Sequence, residues 1–472
     1  MRVRRAPLTH DVEKDRTTPD SKNNASTSSA EDVRFLAELS AELCARSGTR
    51  VAAASLARVA AAWPAVRSQT PTSLVDLLEE TAAALDLPLE VYLHAALKRP
   101  RLFTFPARKA IAKVDELVVA LQCTRAMVID IMLKEPALFY SAAAPIAINR
   151  ARTMDALSMT EAQYMKAAHK QPRILTTGAE KLARTIMAAA EALAIDRNAY
   201  MKACLRMPSL FNIDPQTPAR KLRAFADLTG IPFDRCVHAA LRAPSMMSIA
   251  PEHLDAKIEE MTGLFAVERA DVITAVLRQP TLLNFHPETL EGNVRAVIRH
   301  FDLPADRYIK AALRQPVLFY SMPETLFARL RQLGALIDVP ADDLARAGLT
   351  NSGLLLGRPE RIATHIRDAA RFLDVRQEAY VALALRASKL FTLGASHFQE
   401  KMPLLQAIRR ELRQADDAWS TLQAHPLAVT YSAARLRARL ALARRLSGRL
   451  GYNALLSIGE AKAQRIVASL NS

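Results

Sequence analysis

Eight prolines, Pro64, Pro100, Pro136, Pro172, Pro208, Pro244, Pro280 and Pro316, each follow the last by 36 residues. A fixed period of this length marks an array of stacked supersecondary repeats. One repeat cannot bury its own apolar face, but neighbours can bury it together. The register continues through Ser352 and Ser388 and slips by two at Pro426. The period predicts about eleven 36-residue repeats over roughly residues 53–450.

The repeat around Pro316 shows the internal plan. Tyr308, Ala312 and Leu313 have helical spacing. Pro316 ends that helix, since it lacks an amide hydrogen and restricts the residue before it. Val317-Leu-Phe319 forms a short apolar turn, and Met322-Pro-Glu-Thr325 starts a second helix with proline in its first turn. Leu326, Leu330 and Leu333 give the second helix its apolar stripe. The predicted fold class is all-α, a right-handed helical-repeat solenoid of helix pairs. Only 13 glycines in 472 residues argue against tight β-turns and against glycine-rich nucleotide loops.

Three apolar columns recur between repeats. Two residues after the proline position stand Leu102, Leu138, Ile174, Leu210, Met246, Leu282, Leu318, Leu354 and Leu390. Three after it stand Phe103, Phe139, Leu175, Phe211, Met247, Leu283, Phe319, Leu355 and Phe391. Eight before it stand Tyr92, Val128, Tyr164, Tyr200, Cys236, Val272, Tyr308, Leu344 and Tyr380. All three are read as core between stacked helices, aromatics included.

The pattern of a helix, then basic-x-Pro-x-Leu-Phe/Leu, then a helix with Leu-x-x-Lys-x-x-x-Leu resembles the mitochondrial transcription termination factor (mTERF) repeat. Leu254-Asp-Ala-Lys257, Leu326-Phe-Ala-Arg329 and Phe398-Gln-Glu-Lys401 carry its second half. The resemblance covers about 400 residues. The repeats here are more regular than that family's, and a related bacterial array fits as well as an organellar factor. The resemblance implies a curved helical solenoid that binds double-stranded DNA or RNA along a basic face, with transcription regulation as the associated process.

Charge points the same way. Lys plus Arg number 64 and Asp plus Glu 48, a formal net charge of +16, which favours a polyanionic partner. Two residues before the proline position stand Lys98, Lys134, Lys170, Arg206, Arg242, Arg278, Arg314 and, after a lapse at Thr350, Arg386. These are candidate phosphate contacts. The bland reading is a helix-end cation that complements the dipole and caps carbonyls, about 0.3–1 kcal/mol per repeat. Four residues earlier a second column includes Lys166, Lys202 and Lys310 among His94, Asp130, His238, Thr274 and Arg346. Lys166/Lys170, Lys202/Arg206 and Lys310/Arg314 are like-charge i,i+4 pairs, each costing a few tenths of a kcal/mol in an isolated helix. An anionic partner offsets that cost, so the pairs favour a nucleic-acid face.

Two further columns are read more cautiously. Thirteen residues after the proline position come Lys113, Asn149, Lys221, Lys257, Asn293, Arg329, His365 and Lys401, read as a solvated helix face. Four after it come Thr104, Tyr140, Thr176, Asn212, Ser248, Asn284, Tyr320 and Thr392. Their variability suits an exposed turn, and it also suits a one-repeat-per-base code.

The ends complete the plan. Residues 1–31 mix acids, Ser, Thr and Pro with no apolar stretch; they read as a disordered leader, a targeting or secretion tail rather than a signal peptide. The array is assigned to residues 32–450 and a basic C-terminal segment to 451–472. There, Leu455-Leu-Ser-Ile458-Gly459-Glu-Ala-Lys462-Ala-Gln-Arg465 resembles the second half of a helix-hairpin-helix. That resemblance assigns phosphate contacts to Gly459, Lys462 and Arg465, although Ser457 replaces the first glycine. The plain alternative is a polar cap helix.

Cys44, Cys123, Cys204 and Cys236 lack metal-ligand spacing and read as small core residues of a reduced compartment. No Walker loop, His-Glu-x-x-His or Gly-x-Ser-x-Gly occurs, so no enzyme activity, metal or cofactor is expected. No membrane span and no signal peptide are expected. The expected protein is monomeric and cytoplasmic in a bacterium, organellar, or delivered to a host. Its leading partner is nucleic acid, duplex DNA ahead of RNA. The alternative is a protein-interaction scaffold, such as a secreted bacterial effector, that binds an acidic protein.

Overall fold

The computed structural model describes residues 24–446, 451–459 and 465. These form 26 α-helices and nine 3-10 helices with no strand. They divide into two compact units, Met1–Pro215 and Gln216–Ser472, taken in turn below.

In the N-terminal unit the period is visible in the element bounds. Long helices span Pro71–Ala84, Ala107–Leu121, Ala143–Leu157 and Ala179–Ala192. Short helices span Leu89–Lys98, Arg125–Lys134, Glu161–Lys170 and Arg197–Arg206. After each short helix a proline opens a 3-10 turn, as in Pro100–Thr104 and Pro136–Tyr140. The proline ring pushes the preceding residue out of the helical region. Arg99, Glu135 and Gln171 accordingly sit at φ −134°, −126° and −135°. Thr124, Thr160 and Asp196 cap the short helices, accepting bonds from backbone amides of the first turn. A further helix spans Asn24–Ser47, so the last eight residues of the expected disordered leader are helical. The rest of the leader lies outside the described residues.

The C-terminal unit continues the same sequence of elements. Its short helices include Phe233–Arg242, Arg269–Arg278, Ala305–Arg314, Ala341–Gly348 and Gln377–Arg386. Ser352 and Ser388 replace the periodic proline, yet Asn351 and Ala387 keep φ −136° and −127°. Packing of the repeat therefore holds this corner without the ring. The apolar turn at Val317–Tyr320 is a single α-helical turn.

The core follows the three apolar columns. Every residue in them is at most 3% exposed. Rings interlock between repeats: Phe139 meets Tyr92 at 6.1 Å and Phe105 at 5.8 Å, edge to face. Two of the four cysteines, Cys204 and Cys236, join this core, and burial pushes the Cys236 thiol up to about 11. Cys44 is exposed and Cys123 partly exposed, so the reading of all four as core residues is corrected.

Burial is not polar-complete along the tyrosine column. The Tyr92, Tyr164, Tyr200 and Tyr308 hydroxyls are buried and find no partner among the described residues, whereas Tyr380 donates to the Leu390 carbonyl at 3.0 Å. Burial raises the pKa of all five phenols and keeps them neutral. A buried orphan hydroxyl costs more than the methine that would replace it, while a satisfied one stabilises. Tyr164→Phe and Tyr200→Phe are therefore expected to be neutral or to stabilise by up to about 1 kcal/mol, and Tyr380→Phe to cost about 1 kcal/mol. Urea midpoints of the three variants check this; equal losses at all three sites would exclude it.

A second 36-residue period has no counterpart in composition. Asp86, Gln122, Ser158 and Ala194 in the N-terminal unit adopt left-handed φ between +51° and +57°. Gly230, Ala266, Asp302, Asp338 and Asp374 do the same in the C-terminal unit. Each stands where a long helix stops and the chain reverses, the place that usually takes glycine. Only Gly230 is one, so the other eight hold a conformation that costs roughly 1–2 kcal/mol, sustained by the packing on either side.

Candidate nucleic-acid interface

The first basic column lies at the C-terminal ends of the short helices, and all eight of its side chains are exposed. Several of them are engaged. Arg242 donates to the Arg278 carbonyl at 3.0 Å and to the Leu277 carbonyl. Arg278 reaches the Arg314 carbonyl at 3.4 Å, and Arg314 the Leu349 carbonyl at 3.2 Å. Lys134 does the same to the His169 carbonyl at 3.0 Å. Each cation thus caps the short helix of the following repeat, satisfying carbonyls that a helix end leaves unpaired, and Arg314 also donates to the Lys310 carbonyl of its own helix at 3.2 Å. This clasp ties successive repeats together.

The second column divides by repeat. Lys310 lies 3.8 Å from Asp306, Arg346 3.1 Å from Asp343, and Asp130 holds both Lys134 and His169 at 2.5 Å. The Lys134 and His169 charges, with hydrogen bonds from both, hold the Asp130 carboxyl below the usual range against the opposing effect of burial. Lys166, Lys170 and Lys202 differ. They are exposed, and no hydrogen bond or ion pair joins them to another described residue. Lys98 is in the same condition. They stand on the short helices Leu89–Lys98, Glu161–Lys170 and Arg197–Arg206 of the N-terminal unit. Among the described residues no carboxylate pairs with Lys166 or Lys170 to neutralise their repulsion.

Two arginines that the columns did not single out extend this cationic surface. Arg101 and Arg173 follow their prolines by one residue and are exposed. Arg101 lies over the Trp63 ring at 4.7 Å, and the Trp63 indole donates to Thr104 at 2.9 Å. Arg173 and Arg99 share Glu135 at 3.5 and 3.7 Å, leaving the local charge positive. The recurrence of a cation one residue after the proline position, at Arg101, Arg173 and Lys389, was the available signal.

The third column is not a solvated face. None of its members is exposed: Asn149, Lys221, Lys257 and Asn293 reach carbonyls in the turn of the next repeat, while Lys113 pairs with Glu116 on its own helix. Lys257, 9% exposed, donates to the Leu283 and Phe285 carbonyls at 2.8 and 3.0 Å. Desolvation lowers its ammonium pKa. Asn149 donates to the Leu175 and Thr177 carbonyls at 3.0 and 2.9 Å and accepts from the Ala179 amide at 3.2 Å. Lys221 bonds the Ser248 carbonyl, and Asn293 lies 3.4 Å from that of Phe319. Lys257→Met keeps the stem and removes both bonds. The expected loss is about 2 kcal/mol, read as a lower denaturant midpoint with an unchanged slope.

The variable fourth column is also occupied within the protein. Thr177 donates to Asn212 at 3.0 Å, Ser245 to Asn284 at 2.5 Å, Gln279 to Tyr320 at 2.7 Å and Asn351 to Thr392 at 3.2 Å. Tyr140 and Tyr320 pack on Phe105 and Phe285 at 4.9 and 5.0 Å. These bonds account for polar variability at that place without a base code.

At the C-terminal end, helix Ala433–Leu446 turns arginines inward. Arg435 lies 3.8 Å over the Tyr431 ring and bonds the Leu456 carbonyl at 3.1 Å. Arg439, 4% exposed, bonds the Ile458 carbonyl. They dock the short helix Tyr452–Ser457, whose Tyr452, Leu455 and Leu456 are buried. Gly459 and Arg465 are exposed; Lys462 lies outside the described residues. Among the described residues no group of three His, Cys, Asp or Glu side chains could hold a metal ion, and no helix is long and apolar enough to cross a membrane. Compared with known proteins, the chain matches no protein-family model and no curated sequence.

Proposed function

We propose that this chain is a nucleic-acid-binding helical-repeat protein, a right-handed superhelix of about eleven 36-residue repeats related to the mTERF class. It holds the phosphate backbone, of duplex DNA before RNA, through lysines on the short helices. The observation that carries this reading is the trio Lys166, Lys170 and Lys202, exposed, close in sequence to one another and unpaired among the described residues. Elsewhere in the columns the cations are largely occupied in clasping the next repeat or in facing a local carboxylate. The contact is accordingly assigned chiefly to the N-terminal unit, with Lys98, Arg101 and Arg173 beside the trio. The arginines Arg242, Arg278 and Arg314 serve first as structural clasps.

The test is a salt titration of binding to duplex DNA, single-stranded DNA and single-stranded RNA of about 25 nucleotides. Neutralising Z phosphates of a duplex gives a slope near −0.9Z in log–log form. A slope of several, with one class preferred, supports the reading and names the ligand. Weak binding, equal for all three, would overturn it in favour of an acidic protein partner.

A further inference from the structure

We infer that a cleft near the C-terminal end of the C-terminal unit binds a phosphate monoester. The cleft has a volume of about 610 Å³, within the range of small-ligand pockets. Arg386, Gln423, His425, Asn453 and Ser457 bring polar groups to it from three elements. These are helix Gln377–Arg386, helix Ala418–Ala424 with the residues after it, and helix Tyr452–Ser457.

The cleft arises from a defect in the repeat. Most short helices have ten residues, as in Gln377–Arg386, but Ala418–Ala424 has seven, and its proline is late by two. In earlier repeats of this unit Arg242, Arg278 and Arg314 grasp the next short helix. Arg386 has the same place in its repeat, yet it is exposed and bonds no other described residue. The arginine that the pattern dedicates to carbonyl oxygens is here presented to a cavity.

The lining chemistry selects the ligand. Among the described residues no carboxylate lines the cleft, so none of them competes for the guanidinium. A carboxylate ligand would offer two coplanar oxygens, matched by one arginine alone. A phosphate monoester offers three terminal oxygens in a tetrahedral arrangement, suited to donors that arrive from several sides. The Arg386 fork, the Gln423 and Asn453 amides, the His425 ring and the Ser457 hydroxyl supply such donors. Burial lowers the pKa of His425, and Arg435 adds to that effect, so a dianion in the cleft would favour the charged imidazolium that both oppose. This site goes beyond the backbone contact proposed above and uses none of its lysines.

Equilibrium dialysis of labelled inorganic phosphate against the full chain tests the inference. Saturable binding of one phosphate per chain is expected, weakened about tenfold or more in Arg386→Gln, the loss of one charge-assisted bond. Asn453→Ala is expected to weaken it several-fold and guards against a folding defect in the first variant. The chain carrying Lys166→Glu, Lys170→Glu and Lys202→Glu should bind phosphate as the parent does, even where it has lost duplex binding. Absence of saturable binding, or binding unchanged in both cleft variants, would overturn the inference while leaving the lysine face untouched. A 5′-phosphorylated duplex that competes while its 5′-hydroxyl twin does not assigns the monoester to strand ends. Failure of both to compete assigns it to a small phosphorylated molecule. Equal competition by both would overturn the monoester assignment.

Discussion

Replacing Lys166, Lys170 and Lys202 by glutamate is expected to weaken duplex binding about a hundredfold near physiological salt. That corresponds to about 1 kcal/mol for each lost charged contact, below the range for charged hydrogen bonds because the sites are wet. The logarithmic salt slope should shrink by about three at the same time, since three fewer counterions are released. Stability is expected to hold. The three side chains are exposed and bond no other described residue; Lys202→Glu turns the like-charge pair with Arg206 into an opposite-charge one, while Lys166→Glu with Lys170→Glu keeps a like-charge pair. Thermal unfolding beside the binding isotherm separates the two effects. A variant that binds like the parent, with the same slope, would make these lysines ordinary solvated surface. The control is Lys310→Glu, whose parent side chain already faces Asp306 at 3.8 Å and which should matter less.

The largest effect on stability is expected at the interlocked rings. Phe139 is 1% exposed and touches Tyr92 and Phe105 edge to face. Phe139→Ala removes the ring and leaves a cavity between close-packed helices, a cost of about 3–5 kcal/mol. Because a repeat leans only on its neighbours, the damage should be local at first and then propagate. Hydrogen exchange is expected to speed up across Leu89–Lys98 and Ala107–Leu121 before it does so around Arg197–Arg206. Uniform acceleration over the whole N-terminal unit would instead indicate a single cooperative block.

Much of this architecture was legible in the residues because its signals are local. A proline ring, an apolar pair behind it and an aromatic eight residues ahead act within one repeat. They predicted the short helix, the turn, the long helix and all three core columns. What escaped was whatever depends on the next repeat. Lys257 looked like a solvated lysine because the carbonyls that bury it, those of Leu283 and Phe285, lie more than twenty residues on. Arg242 and Arg314 were recognisable as helix-end cations, but both reach across to cap the helix of the next repeat. The chain reversals at Gln122, Ser158 and Ala194 were invisible for another reason: the left-handed backbone there is imposed by packing and is written in no glycine. Of the candidate site, the cationic columns were readable; which lysines stay unpaired was not, because that depends on where Asp130, Asp306 and Asp343 fall.

The clasps also give the C-terminal unit a direction. Arg242, Arg278 and Arg314 donate toward the C-terminus, and so do Lys257, Gln279 and Asn351. On this face the earlier repeat supplies the proton and the later one the lone pair. Growth on the ribosome meets that order: a finished repeat waits with its donors free in water, and the next arrives with the carbonyls they need. Trimming such an array is then not symmetric. A cut on the C-terminal side leaves cations that hydrate readily, while a cut on the N-terminal side strips a helix of the donors that closed its end.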